Sequence, residues 1–195
     1  RKQSSNYPLE DVTSKDMACN VGGDTGVQGL ISVPQGAELT FEFKASLIDK
    51  SKPRLEPGHK GPCAVYLKKV DSAEKAAGSG SGWFKVWDEG YDSASGQWCT
   101  TKYTPTGKFT ITLPKGLQAG EYLAKPELLA LHNALEGRPQ FFTGCMQIKI
   151  EGEGNLVPES TVSIPGYVKA SDESVTFNIY SKGKESTYKT PGPSV

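Results

Sequence analysis

The chain has 195 residues, 36% of them apolar, and carries 22 lysines and arginines against 22 aspartates and glutamates. That length and composition suit one domain, residues 1–195, with a sizeable core. The balanced charge excludes electrostatic capture of nucleic acid or of an anionic membrane, and no apolar run reaches the ~18 residues that span a bilayer. Neutral partners such as uncharged glycans are compatible with it.

Residues 1–16 are polar and weakly patterned. The start, Arg1-Lys2-Gln3-Ser4-Ser5-Asn6, lacks the apolar centre of a signal peptide, so a leader is absent or removed. No Asn-x-Ser/Thr acceptor occurs, since Asn6-Tyr7-Pro8 does not qualify. A turn is expected at Gly22-Gly23. In Gly36–Lys44, Leu39, Phe41 and Phe43 alternate with Glu38, Thr40, Glu42 and Lys44, which predicts a strand buried on one face. Next comes Glu56-Pro57-Gly58-His59-Lys60-Gly61-Pro62-Cys63, followed by Val65, Tyr66, Leu67 and Val70. This places one of only two histidines, His59, on a Gly/Pro-rich loop at the mouth of a strong strand.

Asp71 to Gly82 reads as an exposed polar loop, and Trp83-Phe84-Lys85-Val86-Trp87 as the next strand. Phe109–Leu113 alternates again, Pro114 ends it, and Glu121–Ala124 opens another strand. One helix is predicted, with Pro126 at its start, Gly137 just past its end, and Leu128, Leu131 and Leu135 on one face. Met146–Ile150 alternates as a strand, and Val175, Phe177 and Ile179 share one face of the last. Short, regularly spaced strands with Gly/Pro turns and one short helix argue an all-β sandwich, with a β-barrel as the runner-up.

The four cysteines, Cys19, Cys63, Cys99 and Cys145, form no Cys-x-x-Cys pair, and two histidines complete no zinc pattern. Their even count and wide spacing favour two disulfides and an oxidising compartment, with three pairings open. No motif pairs carboxylates for acid–base work, and there is neither a serine elbow nor a phosphate loop.

Several segments, in order, resemble one family: Asp11-Val12-Thr13-Ser14…Cys19-Asn20, His59-Lys60-Gly61-Pro62, Trp83-Phe84-Lys85, Gly120-Glu121-Tyr122-Leu123, Ala130-Leu131-His132-Asn133-Ala134, Gln140-Phe141-Phe142…Cys145 and Pro165-Gly166-Tyr167…Asn178-Ile179-Tyr180…Pro191-Gly192-Pro193. Together they resemble the fungal lytic polysaccharide monooxygenases of auxiliary activity family nine. The resemblance implies an immunoglobulin-like (fibronectin III-like) antiparallel β-sandwich with long loops, and Cys19–Cys145 pairing that leaves Cys63–Cys99. It also implies one copper ion, held by an N-terminal histidine and a second histidine, with an axial tyrosine. By motif His59 matches the second histidine, His132 and Gln140 match the outer shell, and Phe142 takes the tyrosine position. Tyr167 falls where the family presents a flat aromatic to polysaccharide.

Residue 1 is arginine, whose guanidinium has no lone pair to offer and stays protonated. With Phe142 offering no oxygen, the resulting expectation is a chain that has lost copper and monooxygenase activity. It is expected to be a secreted monomer that binds plant cell-wall polysaccharide or oligosaccharide, such as cellulose or xylan, with Tyr167 as its binding residue. Two alternatives accompany this reading, a copper-dependent polysaccharide monooxygenase with rearranged ligands and a protein-interaction or modulator scaffold.

Overall fold

The structure is a computed structural model; it describes residues 1–46, 49 and 55–195. Eleven strands are present among them: β1 Ile31–Pro34, β2 Glu38–Glu42, β3 Cys63–Val70, β4 Gly80–Glu89, β5 Tyr91–Asp92, β6 Gln97–Trp98, β7 Lys108–Thr112, β8 Gly120–Ala130, β9 Gln140–Thr143, β10 Met146–Glu151 and β11 Val162–Ile164. Two short helices join them, α1 Cys99–Tyr103 and α2 Glu173–Thr176.

The main sheet runs β1-β10-β8-β3-β4-β11, with β9 also paired to β8, while β2 and β7 form a separate ribbon. The ribbon explains itself in sequence: Leu39 faces Ile111 and Phe41 faces Phe109, while Thr40 and Thr110 share a 2.8 Å hydrogen bond on the outer face. Its apolar face closes over Val65, Leu67, Phe84, Tyr122, Ala124, Ile148 and Ile150 of the main sheet. The other face of that sheet, bearing Tyr66, Trp83, Leu123 and Leu129, is covered by Met17, Val168, Val175 and Phe177 from long loops. An open, immunoglobulin-like β-sandwich results, not a barrel.

β3 and β8 lie at the centre of the sheet with both faces covered, so their buried runs, Cys63–Leu67 and Tyr122–Ala130, lose the alternation seen in the ribbon. This is why the helix predicted over 126–137 is absent. β8 continues through it to Ala130, and only Ala134–Glu136 coil, as a 3₁₀ turn closed by Gly137 at φ 72°. Pro126 is tolerated in a central strand because it lies where β8 changes partner, between its pairing with β10 (Gly120–Ala124) and with β9 (Glu127–Ala130).

The last predicted strand is corrected as well. Val175 ends in α2, where the Asp172 carbonyl accepts from the amides of Val175 and Thr176, and Phe177 and Ile179 follow in irregular chain. All three still bury their side chains.

Both disulfides, Cys19–Cys145 and Cys63–Cys99, are formed. Among the described residues no helix is long and apolar enough to cross a membrane.

Candidate metal centre at the mouth of β3

His59 stands in the turn that leads into β3, half-exposed, with its amide donating to the Glu56 carbonyl. The turn is fixed from below. Leu131 donates to the Lys60 carbonyl at 2.9 Å and Leu129 to the Pro62 carbonyl at 3.0 Å. At Gly61 a Cβ would lie 1.9 Å from the Leu129 carbonyl oxygen, so only glycine lets the turn approach β8 this closely.

The end of β8 supplies the partner. His132 follows Ala130 by two residues, in the bend before the 3₁₀ turn rather than on a helix, and its ring stacks on His59 with centroids 4.7 Å apart and planes 10° apart. Phe142 of β9 covers the same ring at 5.3 Å. Gln140 lies two residues before it and donates to the Glu10 carboxylate at 3.0 Å. His59, His132, Gln140 and Phe142 therefore converge at one end of the sandwich.

Burial and the neighbouring His132 lower the His59 pKa below its ordinary 6.5, with Glu56 opposing. The shift favours the neutral imidazole, in which one ring nitrogen keeps its lone pair. The sign for stability follows: the contribution is present above 6.5 and is lost as pH falls through the depressed folded value. A ¹H–¹³C titration is expected to place His59 below 6.5; a midpoint above it contradicts the burial seen here.

An imidazole lone pair lies in the ring plane, so two rings stacked nearly parallel cannot both aim at one ion. Of the two, His59 is the half-exposed ring, and His132 has a buried Nδ1 with no hydrogen-bond partner. A neutral imidazole suits copper well. Phe142 provides a wall and no oxygen. Among the described residues no three His, Cys, Asp or Glu side chains group as a metal cage.

Two other predicted site residues lie elsewhere. Arg1 is not beside His59. Its amine donates to the Cys145 carbonyl at 3.2 Å, and its guanidinium is spent on the carbonyls of Gly23, Asp24, Ala73 and Ala76. Ala73 and Ala76 lie beyond Val70, and His59 lies before Cys63, so the eight-residue length of β3, about 20–25 Å, separates guanidinium from imidazole. Tyr167 is only 9% exposed, and its hydroxyl donates to Glu127 at 2.7 Å in the interior; its faces are not available to a sugar.

The aromatic that does face solvent near His132 is Tyr180, 66% exposed, whose hydroxyl donates to the His132 carbonyl at 3.1 Å. The resemblance includes it in Asn178-Ile179-Tyr180 but gives it no role, because its placement depends on a contact across 48 residues.

Residues 1–188 match Auxiliary Activity family 9 (formerly GH61). The chain belongs to this family. Among family 9 proteins, lytic polysaccharide monooxygenase H of Botryotinia fuckeliana is 43% identical over 97% of this chain and 44% of its own length. Lytic polysaccharide monooxygenase C of Aspergillus tamarii is 41% identical, over 97% and 52% respectively. The chain thus spans about half the length of these relatives. Of solved structures, CvAA9A superposes with a TM-score of 0.90 at 29% identity, covering all of this chain and 88% of that one. A cellulose-active polysaccharide monooxygenase from M. thermophila gives 0.81 at 28%, covering 99% and 85%.

These likenesses overturn two expectations, that the chain is no enzyme and that it has lost copper. Both rested on the absence of a nitrogen donor at residue 1, where arginine stands, and on Phe142 in the tyrosine position. The family relatives are named as monooxygenases across nearly all of this chain, and the Arg1 guanidinium is held the length of a strand away.

Proposed function

We propose that this chain is the catalytic domain of a copper-dependent monooxygenase of plant cell-wall polysaccharide, with His59 as a copper ligand. The observation that carries this reading is the half-exposed, neutral His59 imidazole fixed between His132 and Phe142 at a loop-bearing end of the sandwich. Family membership supports it, as does the cellulose activity named for the M. thermophila protein. Copper, when bound, supplies the one-electron chemistry that activates oxygen.

The chain's own residues hold and shape the site. His132 sets the plane of the His59 ring, and Glu10 fixes the Gln140 amide beside it. Phe142 closes one side with hydrocarbon and keeps water from it. Tyr180 presents an open ring to the C–H face of a pyranose, with its hydroxyl tethered to His132. The two disulfides support a secreted setting.

Tyr180→Ala is expected to weaken retention on cellulose or xylan about three- to tenfold, the scale of one aromatic contact. Unchanged retention removes Tyr180 from the binding face.

The function itself is tested by incubating the copper-loaded, full-length natural protein with a reductant and with cellulose or xylan, and reading products by mass spectrometry. Oxidised oligosaccharides are expected. A protein that carries stoichiometric copper yet releases none on either substrate overturns the assignment.

A further inference from the structure

α1 is pinned at its first residue by the Cys63–Cys99 disulfide and by the Cys99 amide donating to the Gly90 carbonyl at 3.0 Å. The next residue, Thr100, is 4% exposed and turns toward the loop that carries His59. Its hydroxyl accepts from the Gly61 amide at 2.9 Å and donates to the Gly61 carbonyl at 3.2 Å, while its own amide donates to that same carbonyl at 3.2 Å. Both polar groups of Gly61 are thereby committed to one buried side chain and its backbone, two residues from His59. Lys60 and Pro62, on either side, are held by Leu131 and Leu129 of the β8 end. The loop therefore has two anchors. One is β8, which also carries His132; the other is α1, and its only hydrogen-bonding side chain onto Gly61 is Thr100.

We propose that Thr100 is a positioning residue for His59, setting where the imidazole stands over His132 and hence where it presents its lone pair. The proposal rests on the copper reading above. A buried hydroxyl that only filled space could be replaced by its isostere without moving the ring. One that locates the loop could not, because Thr100→Val leaves the Gly61 amide without its acceptor.

The test compares Thr100→Val, Thr100→Ser and the parent, each as the full-length natural protein. Copper affinity is read by calorimetry, the copper spectrum by electron paramagnetic resonance, and the His59 ring shifts of the metal-free protein by NMR. Thr100→Val is expected to weaken copper binding about tenfold, as loss of a group that orients a metal ligand does, to shift the parallel hyperfine splitting, and to move the His59 ring resonances. Thr100→Ser, which keeps the hydroxyl, is expected to restore all three.

A Thr100→Val protein that melts at lower temperature but keeps the parent's affinity, spectrum and ring shifts overturns the proposal. Should the valine variant not fold, Thr100→Ala against Thr100→Ser makes the same comparison. If the parent binds no copper, the functional reading fails by itself, and the His59 ring shifts in the metal-free variants still decide whether Thr100 places the ring.

Discussion

Glu127→Ala is expected to destabilise the domain by about 3–5 kcal/mol, the cost of leaving a buried charge without its partner. Lys125 and Glu127 point to the same side of β8, two residues apart, and both are fully buried. The Lys125 ammonium bonds the Glu127 carboxylate and otherwise sees two aromatic rings, Tyr66 at 5.2 Å and Tyr167 at 5.6 Å from centroid. Tyr167 donates to the same carboxylate, and Tyr66 donates to the Pro191 carbonyl at 3.0 Å. Glu127 thus joins the middle of the sheet to the loop segment that covers it.

Burial lowers the Lys125 pKa and raises that of Tyr167 well above its ordinary value, so both groups resist carrying charge in this interior. Replacing both partners, Lys125→Met with Glu127→Leu, removes the desolvation cost along with the attraction and is expected to fall within about 1–2 kcal/mol of the parent. Urea unfolding with the disulfides intact measures both. A Glu127→Ala loss smaller than that of the double variant contradicts a charged, coupled pair.

Removing the Cys19–Cys145 bridge as Cys19→Ala/Cys145→Ala is expected to cost about 4–5 kcal/mol in the chain-entropy view, because its ends are 126 residues apart. It ties the turn after Met17 to the link between β9 and β10, where Asn20, at φ 65°, also donates to the Thr143 carbonyl at 3.0 Å. Removing Cys63–Cys99, whose ends are 36 residues apart, is expected to cost about 1 kcal/mol less by the same logarithm. Unfolding midpoints of the two paired-alanine variants give the order. The reverse order contradicts loop closure as the main source of the stabilisation.

The sequence displayed its strands where one face of the sheet meets a different environment from the other. Leu39-Thr40-Phe41 and Ile148-Lys149-Ile150 alternate because their outer faces are wetter than their inner ones. β8 does not alternate, since both its faces are covered and two of its charges, Lys125 and Glu127, are buried as a pair. Leu128 near its end, with Leu131 and Leu135 beyond it, then matched a helical spacing that no helix uses. At Val175, Phe177 and Ile179 the alternation foretold burial but not conformation, because Asp172 starts a helical turn locally.

At the site, His59, His132, Gln140 and Phe142 could be picked out by motif, and the structure brings them together. Thr100 and Glu10 could not, and Tyr180 stood in a motif segment without a role, as each reaches the site through a contact between residues far apart in the chain. Arg1 and Tyr167 misled for one shared reason: a motif position says nothing about which carbonyls or carboxylates are waiting for the side chain in the folded chain.

The most direct test of the central claim is a copper titration of the full-length natural protein beside His59→Ala, followed by electron paramagnetic resonance. The prediction is one ion per chain with nitrogen coupling, and an affinity at least about a hundredfold weaker in the variant, since a ligand matters more than its supports. A chain that takes up no copper, or one whose affinity and spectrum are untouched by His59→Ala, contradicts it.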